Sequence, residues 1–171
     1  INGILALGMV FVMTAGGIDL SVASMLPLAS VIVGAVLKTS GNIVIACTAA
    51  VAATTLFGLI NGLLVAKFNM FPFVVTLATQ LVIRGAAYII SGGYSEALAN
   101  PDFKKIGSGK LFGMLPYPVL ILLGIALLAF VLMHWTKFGR YIYAVGGNIN
   151  AATASGVNVF WTRVGSFVTV P

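Results

Sequence analysis

Residues 43–66 read IVIACTAAVAATTLFGLINGLLVA and hold no charged side chain. As an α-helix this stretch is about 36 Å long at 1.5 Å per residue, enough to cross a hydrocarbon layer of about 30 Å. A membrane strand would need only about 10 residues, with apolar and polar positions alternating. No such alternation is present. In a bilayer core the backbone amides and carbonyls must be satisfied within the protein, so a long unalternating run reads as a helix.

The same reading extends outward along the chain. An apolar run from Ile1 to Ala15 breaks at Gly16-Gly17, and a second run ends at Leu37, before the polar turn Lys38 to Asn42. Further runs cover Phe73 to Ile90 and Tyr117 to Trp135, the latter with an aromatic residue at each end, as suits two interfaces. Val164 to Pro171 starts another. The expected fold is all-α: a polytopic helical membrane protein with about five spans and a sixth cut short. Residues 1–171 form one transmembrane domain, interrupted by hydrophilic segments at 91–116 and 136–163. Both ends of the chain fall inside apolar stretches, with no initiator Met or basic leader. It is expected to be an internal fragment.

Composition agrees. Hydrophobic residues make up 60% of the chain and charged residues 7%, with a mean hydropathy of +1.13. Soluble domains carry about 25% charged residues, because a globule needs a hydrated skin. The solvent of this chain is therefore largely lipid. Nine Lys and Arg stand against Asp19, Glu96 and Asp102. They sit singly between apolar runs, where headgroups meet them, which excludes nucleic acid as a partner. Alternating sides puts Lys67, Lys137, Arg140 and Arg163 on one face and Lys38, Lys104, Lys105 and Lys110 on the other. That is a tie, so charge bias does not orient the chain.

Catalytic and metal-binding patterns are missing from the sequence. Cys47 is the only cysteine and His134 the only histidine. Gly107-Ser108-Gly109-Lys110 is too short for a phosphate-binding loop, and no zinc-hydrolase or nucleophile-elbow motif occurs. A transport subunit that is not an enzyme is expected, with no cofactor of its own.

Three places depart from the apolar pattern. In Gly16-Gly17-Ile18-Asp19-Leu20-Ser21 the glycines permit a sharp break, and Asp19 or Ser21 can cap the next helix. Either this is an ordinary cap at the membrane surface, or the break lies at depth and its carboxylate lines a polar pathway. Arg84 is the second; it can snorkel to the headgroups or pair with Asp19. The third is the segment after Trp135, where Asn148 suits an N-cap and Gly156 the position just past a helix, with room for about two turns between. In addition, Gly58 and Gly62 form a small-xxx-small face for close helix packing, with Asn61 beside it as a hydrogen-bonding residue.

Read together, these segments resemble the permeases of bacterial ribose-type ABC importers, which also move other monosaccharides. The resemblance rests on Gly16-Gly17-Ile18-Asp19-Leu20-Ser21-Val22, on Asn61-Gly62-Leu63-Leu64-Val65-Ala66-Lys67, and on Phe73-Val74-Val75-Thr76-Leu77-Ala78-Thr79. It continues through Arg84-Gly85, Gly139 to Asn148, and Ser155 to Val159. It implies that 91–116 faces the exterior and that 136–163 is a cytoplasmic loop carrying the coupling helix. Asn150-Ala151-Ala152 followed by Gly156 occupies the place of the family's E-A-A-x-x-x-G signature, which docks on the ATPase. Asn150 stands where the family has its acid, so the helix is implied but not a carboxylate for an ion pair.

The resemblance further implies a multi-pass protein of the bacterial inner membrane. Its partners would be an ATP-binding subunit, which binds the ATP, an external sugar-binding protein and a second permease copy. Asp19, Ser21 and Asn61 are the candidates for lining the translocation route. The rival readings are an ABC permease for another small solute, such as amino acids, and an ion-coupled secondary transporter.

Overall fold

The computed structural model describes residues 2–94, 101–111 and 114–171; Glu96 lies outside them. The chain is helical throughout its apolar runs. Helix α1 covers Asn2–Thr14, α2 Val22–Ser40, α3 Ile43–Phe68 and α4 Pro72–Ser91. Then come α5 (Pro101–Ser108), the short strands β1 (Lys110–Leu111) and β2 (Leu115–Pro116), and α6 (Tyr117–Trp135). The chain closes with α7 (Lys137–Gly147), α8 (Ile149–Ala154) and α9 (Val159–Val168).

Local chemistry sets the ends. The Asn42 side chain accepts from the Val44 and Ile45 amides at 2.9 and 3.3 Å and starts α3. Pro72 opens α4, where a missing N–H costs nothing because the first-turn amides have no helical partner. Gly41 and Gly92 end α2 and α4 in the left-handed region, at φ 65° and 62°. Among the described residues four helices, α2, α3, α4 and α6, are long and apolar enough to cross a membrane; α1, with 13 residues, is a shorter apolar helix.

Helix α3 is central, packed against α2 and α4 on one side and α9 on another. The glycine pair makes the α9 contact possible. A Cβ on Gly58 would lie 2.6 Å from the Phe167 carbonyl oxygen, and one on Gly62 would lie 2.9 Å from Val164 Cα. Helices α2 and α4 meet through Met25, Leu28, Ile83 and Ala87, and α1 meets α6 and α7 through Phe11, Ala15, Met133 and Ile142.

Outside, the molecule is apolar: Phe71 and Ile89 are 80% exposed, and Leu81 and Leu127 are 65% exposed. Inside, Asp19, Ser21, Asn61 and Thr76 are fully buried. Large apolar side chains facing out and polar ones facing in is the arrangement a lipid solvent favours.

Both hydrophilic segments hold more structure than expected. Residues 91–116 include α5 and an antiparallel β1–β2 pair, in register Lys110 with Pro116 and Leu111 with Leu115. The segment after Trp135 has a further amphipathic helix, α7, which turns Gly139, Ile142 and Val145 inward. The last apolar helix begins at Val159 rather than Val164, started by Asn158, whose side chain accepts from the Trp161 amide at 3.2 Å.

Candidate functional site

Helix α1 stops at Gly16, whose φ of 83° only glycine adopts freely. The Gly16 amide reaches the Met13 carbonyl at 3.0 Å and the Gly17 amide reaches the Val12 carbonyl at 2.9 Å, which satisfies the orphan carbonyls of the last turn. Two residues later the chain turns inward. Asp19 Oδ1 accepts from the Ser21 amide at 2.8 Å and from the Ser21 hydroxyl at 2.5 Å. The Asn61 side-chain amide donates to Ser21 Oγ at 2.9 Å. Thr76 closes the enclosure from α4: its hydroxyl donates to the Pro72 carbonyl one turn back at 2.9 Å and lies 3.3 Å from the Ile18 carbonyl.

The three candidates Asp19, Ser21 and Asn61 are thus joined in one buried polar knot that ties the start of α2 to α3. Asp19 does the capping; the Ser21 hydroxyl makes no cap bond and serves Asp19 instead. Thr76 was not singled out in the sequence, although it shares a helical face with Ile83 and Ala87 at spacings of seven and eleven. That stripe was the available signal. Arg84 is no part of the knot. It lies one step round the helix from the inward-facing Ile83, is exposed, and forms no ion pair with Asp19 among the described residues. Of the two readings of Arg84, that geometry removes the pairing and leaves the side chain free to reach the headgroups.

A cleft of about 210 Å³ opens at this end of the molecule. Its walls include Gly16, Gly17, Asn69, Met70 and Arg163. Asp19, Ser21 and Asn61 do not line it; in this conformation they face one another. Arg163 Nη1 donates to Asn69 Oδ1 at 3.4 Å, which links α9 to the α3–α4 turn.

The second candidate group, Asn150, Ala151, Ala152 and Gly156, lies on and after α8. Asn148 Oδ1 accepts from the Ala151 amide at 3.0 Å. Gly156, at φ 78°, closes the other end, with its amide on the Thr153 carbonyl and the Val157 amide on the Ala152 carbonyl, both at 3.0 Å. Asn150 and Ala151 are exposed, while Ala152 is buried. The short helix is therefore capped at both ends and anchored by one methyl. Its neighbour α7 bears directly on α1: a Cβ on Gly146 would run into the Thr14 carbonyl oxygen. The break at Gly16, the α3–α4 turn and the α7–α9 loop consequently share one end of the bundle.

The chain is similar to known permeases over nearly its whole length. The ribose import permease protein of Bacillus subtilis (strain 168) is 40% identical over 166 residues, covering 96% of this chain and 51% of that protein. The L-arabinose transport system permease protein of Escherichia coli (strain K12) is 36% identical over 167 residues, covering 98% and 51%. The galactofuranose transporter permease protein of the same strain is 39% identical over 155 residues, covering 91% and 45%. The chain spans about half the length of the curated relatives it matches. No solved structure gives a significant match. Residues 1–170 match the family described as the branched-chain amino acid transport system / permease component, and the chain belongs to that family of multi-pass membrane permeases.

Proposed function

We propose that this chain forms part of the membrane-spanning subunit of an ATP-driven importer that moves a monosaccharide of the ribose kind across the bacterial inner membrane. ATP is bound and hydrolysed in a separate subunit that docks at α8. Sugar is delivered on the opposite face by an external binding protein, and a second permease copy completes the route.

The observation that carries this reading is the placement of α8. It is short, capped at both ends and exposed at Asn150 and Ala151, and it is joined to α7 and α9. Helix α7 presses on the end of α1 at Thr14, and α9 packs on α3 through Gly58 and Gly62. A push on α8 therefore reaches both sides of the knot: α1 just ahead of the break, and α3, which holds Asn61. For Asp19, Ser21 and Asn61 to meet a solute the knot must open, and alternating access supplies such a second state.

Replacing Ala151 with Trp in the full-length protein tests the docking. The bulky ring is expected to abolish sugar uptake and to reduce association with the ATPase subunit, while leaving folded yield unchanged. Unchanged uptake and association would remove the coupling role of α8. The family description favours a second reading, in which the solute is a branched-chain amino acid. Uptake of labelled ribose, arabinose and leucine by the reconstituted importer separates the two. Uptake that persists without ATP but stops when the proton gradient is collapsed would overturn both.

A further inference from the structure

The knot leaves two atoms over. Ser21 gives its amide and its hydroxyl to Asp19 Oδ1 and takes the Asn61 amide in return. Asp19 Oδ2 and Asn61 Oδ1 are buried without a hydrogen-bond partner among the described residues. Both are acceptors, so neither can satisfy the other. A carboxylate enclosed this way carries a charge that an apolar interior does not tolerate uncompensated. The charged side chains of the surrounding helices do not compensate it. Lys67 on α3, Arg84 on α4, and Lys137 and Arg140 on α7 are exposed. The half-buried Arg163 on α9 turns to Asn69, and Lys38 stands at the far end of α2.

We propose that the knot is a binding site for one small positive charge, a proton or a monovalent metal cation, held at Asp19 Oδ2, with Asn61 Oδ1 as the second open acceptor of the same cluster. The two open oxygens specify the sign, since they accept and cannot donate. One carboxylate specifies the magnitude, because a divalent ion would remain half uncompensated. Burial specifies the size: neither side chain lines the cleft beside the break, so a sugar-sized solute does not reach them. Helix breaks suit such sites because they release backbone groups from helical bonding, and Ile18, between α1 and α2, has its carbonyl outside any helix, 3.3 Å from the Thr76 hydroxyl. Neutralising Asp19 keeps the start of α2 joined to α3. Withdrawing the charge leaves an anion that this enclosure cannot hold, and the joint opens.

The test uses the full-length protein in detergent micelles. If the ion is a metal cation, replacing choline by sodium or potassium raises the thermal unfolding midpoint by about 3 °C at ten times the dissociation constant, by mass action on the folded state. Asp19→Asn, which keeps the shape but not the charge, removes that shift. If the species is a proton, no cation shift occurs. The infrared difference spectrum between wild type and Asp19→Asn then shows the carbonyl stretch of a protonated carboxylic acid. Should Asp19→Asn fail to fold, Asn61→Ala serves as the comparison, with the cation shift or the acid band altered. The proposal is overturned if neither signal is seen, or if the cation shift survives Asp19→Asn. Neither readout involves ATP or sugar, so the result bears on the knot alone and not on the transport reading.

Discussion

Gly16 and Gly156 stop their helices with the same backbone device and open onto different surroundings. Each sits in the left-handed region, at φ 83° and 78°, and each stop is closed by the same pair of amide bonds to the preceding turn. Within three residues an Asx side chain starts the next helix: Asp19 takes the Ser21 amide, and Asn158 takes the Trp161 amide. Asn158 is exposed and its bond is purely local. Asp19 is buried, and its partner Ser21 is tied to Asn61, forty residues along the chain. The charged cap, which water would serve best, is the one enclosed. A helix stop is thus a local matter that works in any solvent, whereas a polar group placed behind it at depth depends on other helices for every remaining bond.

The strongest way to break that contrast is Asn61→Leu. It removes the Asn61 amide that α3 gives to the knot and leaves Ser21 Oγ one bond short in a buried place. The expected cost is about 2 kcal/mol, read as a fall of about 4 °C in the unfolding midpoint of the full-length protein. A negligible fall would mean that the knot is no more cooperative than the loop. A smaller effect is expected from Asn148→Ala, which deletes a local cap at about 1 kcal/mol. Amide exchange at Ala151 and Ala152 should rise about fivefold, with the global midpoint unmoved; a lower midpoint would show the loop to be part of the core. The smallest effect belongs to Arg84→Gln, expected to leave the midpoint where it is, since Arg84 touches neither region. A fall as large as that of Asn61→Leu would join it to the knot after all.

This contrast also separates what could be read from residues alone from what could not. The bounds of α6, the two caps of α8 and the packing role of Gly58 and Gly62 rest on local pattern, and the structure agrees with each. Asp19, Ser21 and Asn61 could be named one by one. That they share one hydrogen-bonded cluster could not, because the bond that joins Asn61 to Ser21 spans 40 residues. Helix α7 was missed for another reason. Its buried residues occupy one narrow face, Gly139, Ile142 and Val145, and Lys137 and Arg140 interrupt the apolar pattern around them. The sequence hides the start of α9 because Trp161 and Arg163 disguise a helix whose buried residues, Thr162, Val164, Ser166 and Phe167, are half polar.

Helices α3 and α6 differ in length, with 26 and 19 residues, or about 39 and 28 Å. No single bilayer thickness matches both. Lipids with short acyl chains oblige α3 to lean further, and long ones strain the ends of α6, at fractions of a kcal/mol per Å. Because α9 rests on α3 through two glycines, acyl-chain length becomes a mechanical input to the bundle, acting on its central joint from the surrounding lipid.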